Sequence, residues 1–305
     1  MHEFRFAVHS RGTGSAEDWT RVARRAEELG YHALYMPDHL RWQLSPVAAL
    51  AAAAAVTRTL RIGAYVFAND FRHPLMLVRE AATLDVLSGG RFEFGLGAGW
   101  LQSDYQQLGL PYDRPGLRIE RMAEALGIIK RLLTGERVDH QGRHYRLDGA
   151  RLAPMPVQSP HPPIMLGGGG PRFLRLAARE ADIVGFVPRL PGRPAITDAT
   201  EAALARKVAI VREAAGERFE RLELNVFVGD AGVIGLSRPV DAAVAALKSV
   251  VPALVGGSPY LLYGTLGELR ERLLRRREVL GISSYGIPEP AMEALAPLVA
   301  ALAGR

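Results

Sequence analysis

Apolar positions along this chain alternate between two rhythms: short continuous runs, and longer stretches in which they recur at every third or fourth place. The first is the mark of buried strands, the second of helices with one core-facing side. FRFAV at 4–8 predicts a strand, and Ser15 with Asp18 three places on forms a capping box that opens a helix. Trp19, Val22, Ala23, Ala26 and Leu29 line one side of that helix, and Gly30 ends it. HALYM at 32–36 predicts a second strand, and Ser45-Pro46 opens a second helix with proline in its favoured first position. LRIGAYVFA at 60–68 reads as a third strand, followed by a helix over 74–88. RFEFGLG at 91–97 is a fourth, and a helix over 114–134 carries Leu117, Met122, Leu126, Ile129 and Leu133 along one side. A polar hairpin-like segment at 138–147 and a proline-rich passage at 154–163 interrupt the rhythm. It resumes with PIMLG and a helix from Pro171, then DIVGFV and a helix over 197–215, then LELNVFV at 222–228. An irregular stretch over 230–263, a helix over 265–279, SSYGI at 283–287 and a closing helix from Glu289 complete the series.

Strands and helices in strict alternation imply a parallel sheet. Eight such units point to an α/β fold of the closed (β/α)8 TIM-barrel kind, with insertions after the fourth helix and after the seventh strand. The alternative is an open doubly wound sheet divided near residue 155. No composition shift marks a linker there, so residues 1–305 read as one domain.

With 48% apolar and 23% charged residues the chain has an ordinary globular composition. The longest apolar candidate for a membrane span, 47–56, is nearly all alanine and falls well short of the roughly 18 residues required. No basic segment followed by an apolar run opens the chain, so no signal peptide is expected. The absence of cysteine excludes disulfides, thiolate metal sites and thiol nucleophiles, and agrees with a cytoplasmic location. The net charge of +6 is spread along the chain. Its densest run, Arg275 to Arg277 beside Glu271 and Glu278, reads as a solvated helix face, so neither nucleic acid nor a membrane is expected as partner. None of the histidines forms a helical metal-binding pair; His140 and His144 lie in a glycine-broken loop, and no metal site is expected.

Chemistry on a barrel of this kind gathers at the carboxyl ends of the strands, and the unusual residues fall there. After the second strand comes MPDHLRW, which sets Asp38 and His39 beside Trp42. A histidine in that place can donate a hydrogen bond, hold a carbonyl or move a proton near neutral pH. The third strand ends in AYVFANDFRHP, where Tyr65, Asn69, Arg72 and His73 alternate with apolar residues. The fourth runs into GLGAGW. This is not the dinucleotide-binding G-x-G-x-x-G, because Trp100 stands at the sixth place and Gly99 one place early. Glycines at 95, 97 and 99 would let a flat ligand lie against bare backbone, with Trp100 as a wall. The fifth ends in GGGGP at 167–171, directly ahead of a helix with Arg172 and Arg175 in its first turn. Bare amides at a helix N-terminus suit an anion such as phosphate.

These segments together resemble the bacterial-luciferase-like flavin and deazaflavin oxidoreductases. The resemblance rests on AEELGYHALYMPDHL, LRIGAYVFANDFRHP, LSGGRFEFGLGAGW, PIMLGGGGPRFLRLAAREADIVGF and YGTLGELRERL, and it covers nearly the whole chain. It is closest to the branch that uses coenzyme F420, a deazaflavin, in place of FMN. The resemblance implies a (β/α)8 barrel and a catalytic His39 near the reactive ring carbon, with Asp38 beside it. It implies a cofactor-supporting bulge at Ala64, Tyr65 and Val66, with a non-prolyl cis bond between Tyr65 and Val66 and with Asn69 near by. Gly97 and Gly99 would lie against the ring, Trp100 would border the substrate, and Gly167, Gly168, Gly169 and Gly170 would hold the phosphate. A small-molecule substrate, a homodimer and a separate enzyme that reduces the cofactor are implied with it. One position departs from the family's sugar-phosphate dehydrogenases: their GTGE is Gly-Ala-Gly-Trp here (97–100), so their acidic residue is replaced by Trp100. A fairly apolar substrate is therefore expected, with hydride transfer to or from F420. The alternative on the same fold is an FMN-dependent monooxygenase using reduced flavin and oxygen.

Overall fold

A computed structural model describes residues 2–188, 195–235, 241–242, 245 and 256–305. It opens with β1 (Arg5–His9) and α1 (Ala16–Glu28). Ser15 and Asp18 cap that helix reciprocally: the Asp18 amide donates to Ser15 Oγ at 3.1 Å and the Ser15 amide to Asp18 Oδ2 at 2.9 Å. Then follow β2 (Ala33–Met36), α2 (Pro46–Val56), and a third strand in two pieces, β3 (Arg61–Ala64) and β4 (Phe67–Ala68). α3 (Pro74–Leu87), β5 (Phe92–Gly97), a short α4 (Gln102–Leu108) and α5 (Pro115–Leu133) come next. The predicted hairpin is β6 (Val138–Gln141) paired with β7 (Arg146–Ala150). The alternation resumes in β8 (Ile164–Gly168), α6 (Pro171–Glu180), β9 (Ile183–Phe186), α7 (Ala195–Asp198), α8 (Glu201–Ala215) and β10 (Glu223–Phe227). β11 (Asp230–Val233), β12 (Leu261–Gly264), α9 (Leu266–Leu280), β13 (Ile282–Pro288) and α10 (Met292–Leu302) complete the described chain.

The main sheet runs β3-β2-β1-β13-β10-β9-β8-β5-β4, and β3 also pairs with β5, so eight parallel strands close the predicted TIM barrel. The expected cis bond is present between Tyr65 and Val66, and it separates β3 from β4.

By its contacts the chain divides into two units. The first comprises Met1–Ser10, Arg25–Leu34 and Gly167–Arg305. Within it β1 and β10 each pair with β13, and Phe6, Tyr285 and Val226 are fully buried. His9 is half-buried, edge-on to Phe227 with ring centroids 4.7 Å apart, and desolvation pushes its imidazole down to about 3. The second comprises Arg11–Arg24 and Tyr35–Leu166. Its interior packs Phe67, Phe92 and Phe94 around β5, and the buried Glu93 is met by Arg61 Nε at 2.7 Å and by the Tyr35 hydroxyl.

Four expectations are corrected. The segment 101–113 after GLGAGW, which reads as a loop in the sequence, holds a helix, α4. The helix expected over 197–215 is broken into α7 and α8, because the Thr200 side chain caps the Ala203 amide at 3.2 Å. The stretch over 230–263 contains the parallel pair β11–β12. Arg276 is not on a solvated face. With Leu269, Leu273 and Leu280 it forms the buried stripe of α9, 2% exposed, and its guanidinium meets Glu201 at 2.9 Å and the Ser258 carbonyl at 3.1 Å. Charge count along a sequence does not register which side of a helix a residue takes. The sequence leaves the segments 101–113 and 188–197 and the late insertion as candidate walls of a substrate pocket; of these, residues 189–194 and most of 236–255 lie outside the described residues.

Candidate active site

In the second unit the ends of β2, β4 and β5 carry the polar residues that the sequence singled out. Asp38, 6% exposed, accepts from the Ala68 amide at 3.0 Å and from Arg72 Nη1 and Nη2 at 2.6 and 3.2 Å. It thereby ties the loop after β2 to the short strand that follows the cis-bonded bulge. Burial pulls the Arg72 guanidinium down, but the Asp38 bond and charge, then Glu80, carry it above its ordinary value. This aspartate braces the bulge with both carboxylate oxygens. His73 works as a helix cap, its Nδ1 accepting from the Leu75 amide at 3.2 Å.

His39 is partly exposed and held by a residue that sequence reasoning missed. Its Nδ1 donates to Asp104 Oδ2 at 2.7 Å, and Asp104 is 1% exposed. Trp100, 52% exposed, presents itself edge-on to the imidazole with ring centroids 5.6 Å apart and an 86° angle between planes. Its carbonyl accepts from the Tyr112 hydroxyl at 2.7 Å. Asp104 and Tyr105 form the inward face of α4, whose Gln102, Gln106 and Gln107 are exposed. That in-out pattern over seven residues was the signal available in the sequence.

Asn69, which the sequence singled out, is joined to a group that it did not: Asp70, Tyr105, Arg121 and Tyr145. Asn69, 1% exposed, donates through Nδ2 to Asp70 Oδ1 and to the Tyr145 hydroxyl, both at 3.1 Å. Asp70 Oδ2 accepts from the Tyr105 hydroxyl at 3.0 Å and from Arg121 Nη1 at 2.7 Å. Burial, then the Asp70 charge, push the Tyr105 phenol up, so it stays a donor. Tyr145 comes from the β6–β7 hairpin, and Glu124 of α5 holds that hairpin by accepting from the His144 and Tyr145 amides.

The glycines at the end of β5 and beyond it have reasons internal to the protein. A Cβ at Gly95 would stand 1.9 Å from the Ala64 carbonyl oxygen. A Cβ at Gly99, whose φ is +72°, would stand 2.1 Å from the Tyr105 hydroxyl oxygen.

The glycine loop of the first unit runs from β8 into α6. Gly170 is the N-cap of α6 with no side-chain capping bond, and Pro171 follows. A Cβ at Gly170 would meet nothing within 4 Å, whereas one at Gly168 would strike the Phe173 ring at 2.5 Å. The amides of the first turn are thus uncapped by the N-cap side chain and the space at Gly170 is open, which suits an anion's oxygens. No group of three or more potential ligands able to hold a metal ion occurs among the described residues. No described helix is long and apolar enough to cross a membrane.

Compared with protein families, residues 1–279 match the model of the luciferase-like monooxygenases. The F420-dependent glucose-6-phosphate dehydrogenase of Nakamurella multipartita is 33% identical over 211 residues, 66% of this chain and 60% of that protein. The 4-hydroxyprotoasukamycin monooxygenase of Streptomyces nodosus subsp. asukaensis is 35% identical over 179 residues, 56% of this chain and 47% of that protein. The chain thus spans about half to three-fifths of the length of these curated relatives. Among solved structures, an F420-dependent secondary alcohol dehydrogenase in complex with an F420-acetone adduct aligns with a TM-score of 0.78 at 19% identity, over 98% of this chain and 99% of that one. EDTA monooxygenase from Chelativorans sp. BNC1 aligns with a TM-score of 0.78 at 16% identity, over 98% of this chain and 94% of that one. At such identities the structural likeness is one of fold.

Proposed function

The chain belongs to the luciferase-like monooxygenase family, and we propose that within it the protein is a coenzyme F420-dependent oxidoreductase acting on a small, fairly apolar organic substrate. The observation that carries this reading is its kinship with F420-dependent dehydrogenases at a third identity, joined to a partly exposed histidine at the end of β2. The residues present fit such a cofactor. The open space at Gly170 and the uncapped first turn of α6 would take its phosphate. Gly97, Ala64, Tyr65 and Val66, with Asp38 and Asn69 bracing them, would form the seat for its ring. When bound, the deazaflavin supplies two-electron hydride chemistry.

The chain's own residues do the rest. His39 gives or takes the proton that accompanies the hydride. Trp100, where sugar-phosphate dehydrogenases of the family carry an acid, offers an indole face and no carboxylate, which favours apolar substrates over sugar phosphates. Asp38 and Arg72 keep the bulge in place by their paired hydrogen bonds. A second copy of the chain belongs to the proposal. The outward sides of α2 and α3 leave Ala52, Met76, Val86 and Leu87 exposed, an apolar surface that an isologous contact would cover.

The monooxygenases among the relatives keep one rival reading in place, reduced FMN with oxygen as co-substrate. A paired fluorescence titration with oxidised F420 and with FMN at one salt concentration separates the two. Tight F420 binding with weak FMN binding is expected, followed by turnover in an anaerobic screen with reduced F420. Binding of FMN alone, with oxygen consumption, would overturn the proposal in favour of the rival.

A further inference from the structure

We propose that Asp104 is a positioning residue: it fixes the imidazole of His39 with the proton on Nδ1, so that Nε2 is the nitrogen that exchanges a proton with substrate. The inference rests on the role given to His39 above. A carboxylate only accepts, so the 2.7 Å contact between Asp104 Oδ2 and His39 Nδ1 requires Nδ1–H. Which nitrogen of a neutral imidazole holds the proton is set by the bond the other one makes.

The surroundings show that this carboxylate is held for the histidine. Asp104 is 1% exposed, and its Oδ1 is buried with no hydrogen-bond partner in the structure. A buried carboxylate with one oxygen unsatisfied is costly, and the fold keeps it. Its helix is pinned by the next residue, since the Tyr105 hydroxyl donates to Asp70 at 3.0 Å and reaches the Ala98 carbonyl at 3.3 Å. On its other flank the imidazole meets Trp100 edge-on at 5.6 Å, which limits rotation of the ring. Position, tautomer and ring plane are therefore all set before any ligand arrives. The same orphaned oxygen predicts what the substitution Asp104→Asn would do. With its amide nitrogen toward His39, the new side chain makes one hydrogen bond and leaves one N–H and a carbonyl oxygen unpaired. Turned the other way, it buries two unpaired N–H bonds. The first arrangement donates to Nδ1 and drives the ring proton to Nε2.

The test is long-range 1H–15N NMR of the cofactor-free protein at a pH where His39 is neutral, with Kd for F420 measured on the same samples. Wild type is expected to carry Nδ1–H, Asp104→Asn Nε2–H, and Asp104→Glu again Nδ1–H, with F420 affinity within about twofold throughout. On the substrate that the reduced-F420 screen selects, Asp104→Asn should lower kcat by roughly 10²–10⁴-fold, the range of acid–base catalysis, with KM nearly unchanged. An Nε2–H ring in wild type overturns the inference outright, even where the asparagine variant fails to fold. A tautomer or a kcat that does not respond to Asp104→Asn overturns it as well. Failure of wild type to bind F420 would instead strike the proposed function and leave the tautomer result standing.

Discussion

Alanine at position 95 has no room. Its Cβ would stand 1.9 Å from the Ala64 carbonyl oxygen and 3.0 Å from the carbonyl carbon, where carbon–oxygen contacts ordinarily begin near roughly 3.3 Å. The obstacle is backbone, and it is backbone of the strand paired with β5, at Ile62↔Phe92 and Gly63↔Glu93. One strand must therefore move by more than about an ångström, whereas a side chain would merely turn. Overpacking of a core costs about 1–3 kcal/mol where side chains can adjust, so a loss of about 3 kcal/mol is expected here. With an unfolding entropy of about 2.1 cal/mol/K for each of 305 residues, that lowers Tm by roughly 5 °C. Gly170→Ala is the control, because its φ is −86° and nothing lies within 4 Å of the added carbon. It forfeits only the N-cap preference, at most about 1 kcal/mol, yet it should weaken F420 binding by intruding on the proposed phosphate loop. Melting curves at one heating rate and a fluorescence titration read both variants. A Gly95→Ala protein melting within about 2 °C of wild type would refute the packing argument. Undiminished F420 affinity in Gly170→Ala would remove the loop from the site.

Three further outcomes are expected. Glu201→Ala takes a half-exposed carboxylate partner from the buried Arg276 guanidinium and should cost about 1–3 kcal/mol in urea unfolding, whereas Arg276→Met, which fills the same space without charge, should cost about 1 kcal/mol or less; the reverse order would show that the Arg276 guanidinium is not buried. His9 binds its proton more weakly folded than unfolded, so its contribution to stability is full above about pH 6.5 and is lost as pH falls toward its folded value of about 3. At about 1.4 kcal/mol per pH unit, Tm should decline between pH 6.5 and 4.5, and His9→Gln should flatten that decline; equal slopes would argue against a neutral, desolvated imidazole. Met76→Glu with Leu87→Glu places charge on the exposed faces of α3 and should yield monomers by analytical ultracentrifugation where wild type sediments as a dimer.

Strand and helix identity was legible because it depends on period and punctuation. Ser15 with Asp18 and Thr265 with Glu268 cap their helices as capping boxes do, and Ser45-Pro46 opens α2 as its residues require. What escaped was short or distant. α4 spans seven residues and has too few turns for a periodic stripe to stand out. The His39–Asp104 bond joins residues 65 apart in the chain, and the hydrogen bonds from Asn69 to Tyr145 and from Tyr105 to Asp70 join different elements again. Pattern along a chain carries no information about such pairs until the barrel brings the ends of its strands together.

The glycines of the fourth strand's end show how one motif can serve two purposes. Read as sequence, Gly95, Gly97 and Gly99 formed a single signal of a flat ligand against bare backbone. In the structure, Gly95 is required by the Ala64 carbonyl, and Gly99 by its positive φ and by the Tyr105 hydroxyl. Both close approaches support the proposed site: the first lets the bulge pack against β5, the second lets the helix that carries Asp104 pack beside Gly99. A larger residue at either place would act on a ligand only by displacing those supports, so stability and binding should fall together. At Gly170, where no protein atom stands within 4 Å of an added Cβ, they should part. That difference between coupled and uncoupled loss distinguishes glycines that build the seat from those that face what sits in it.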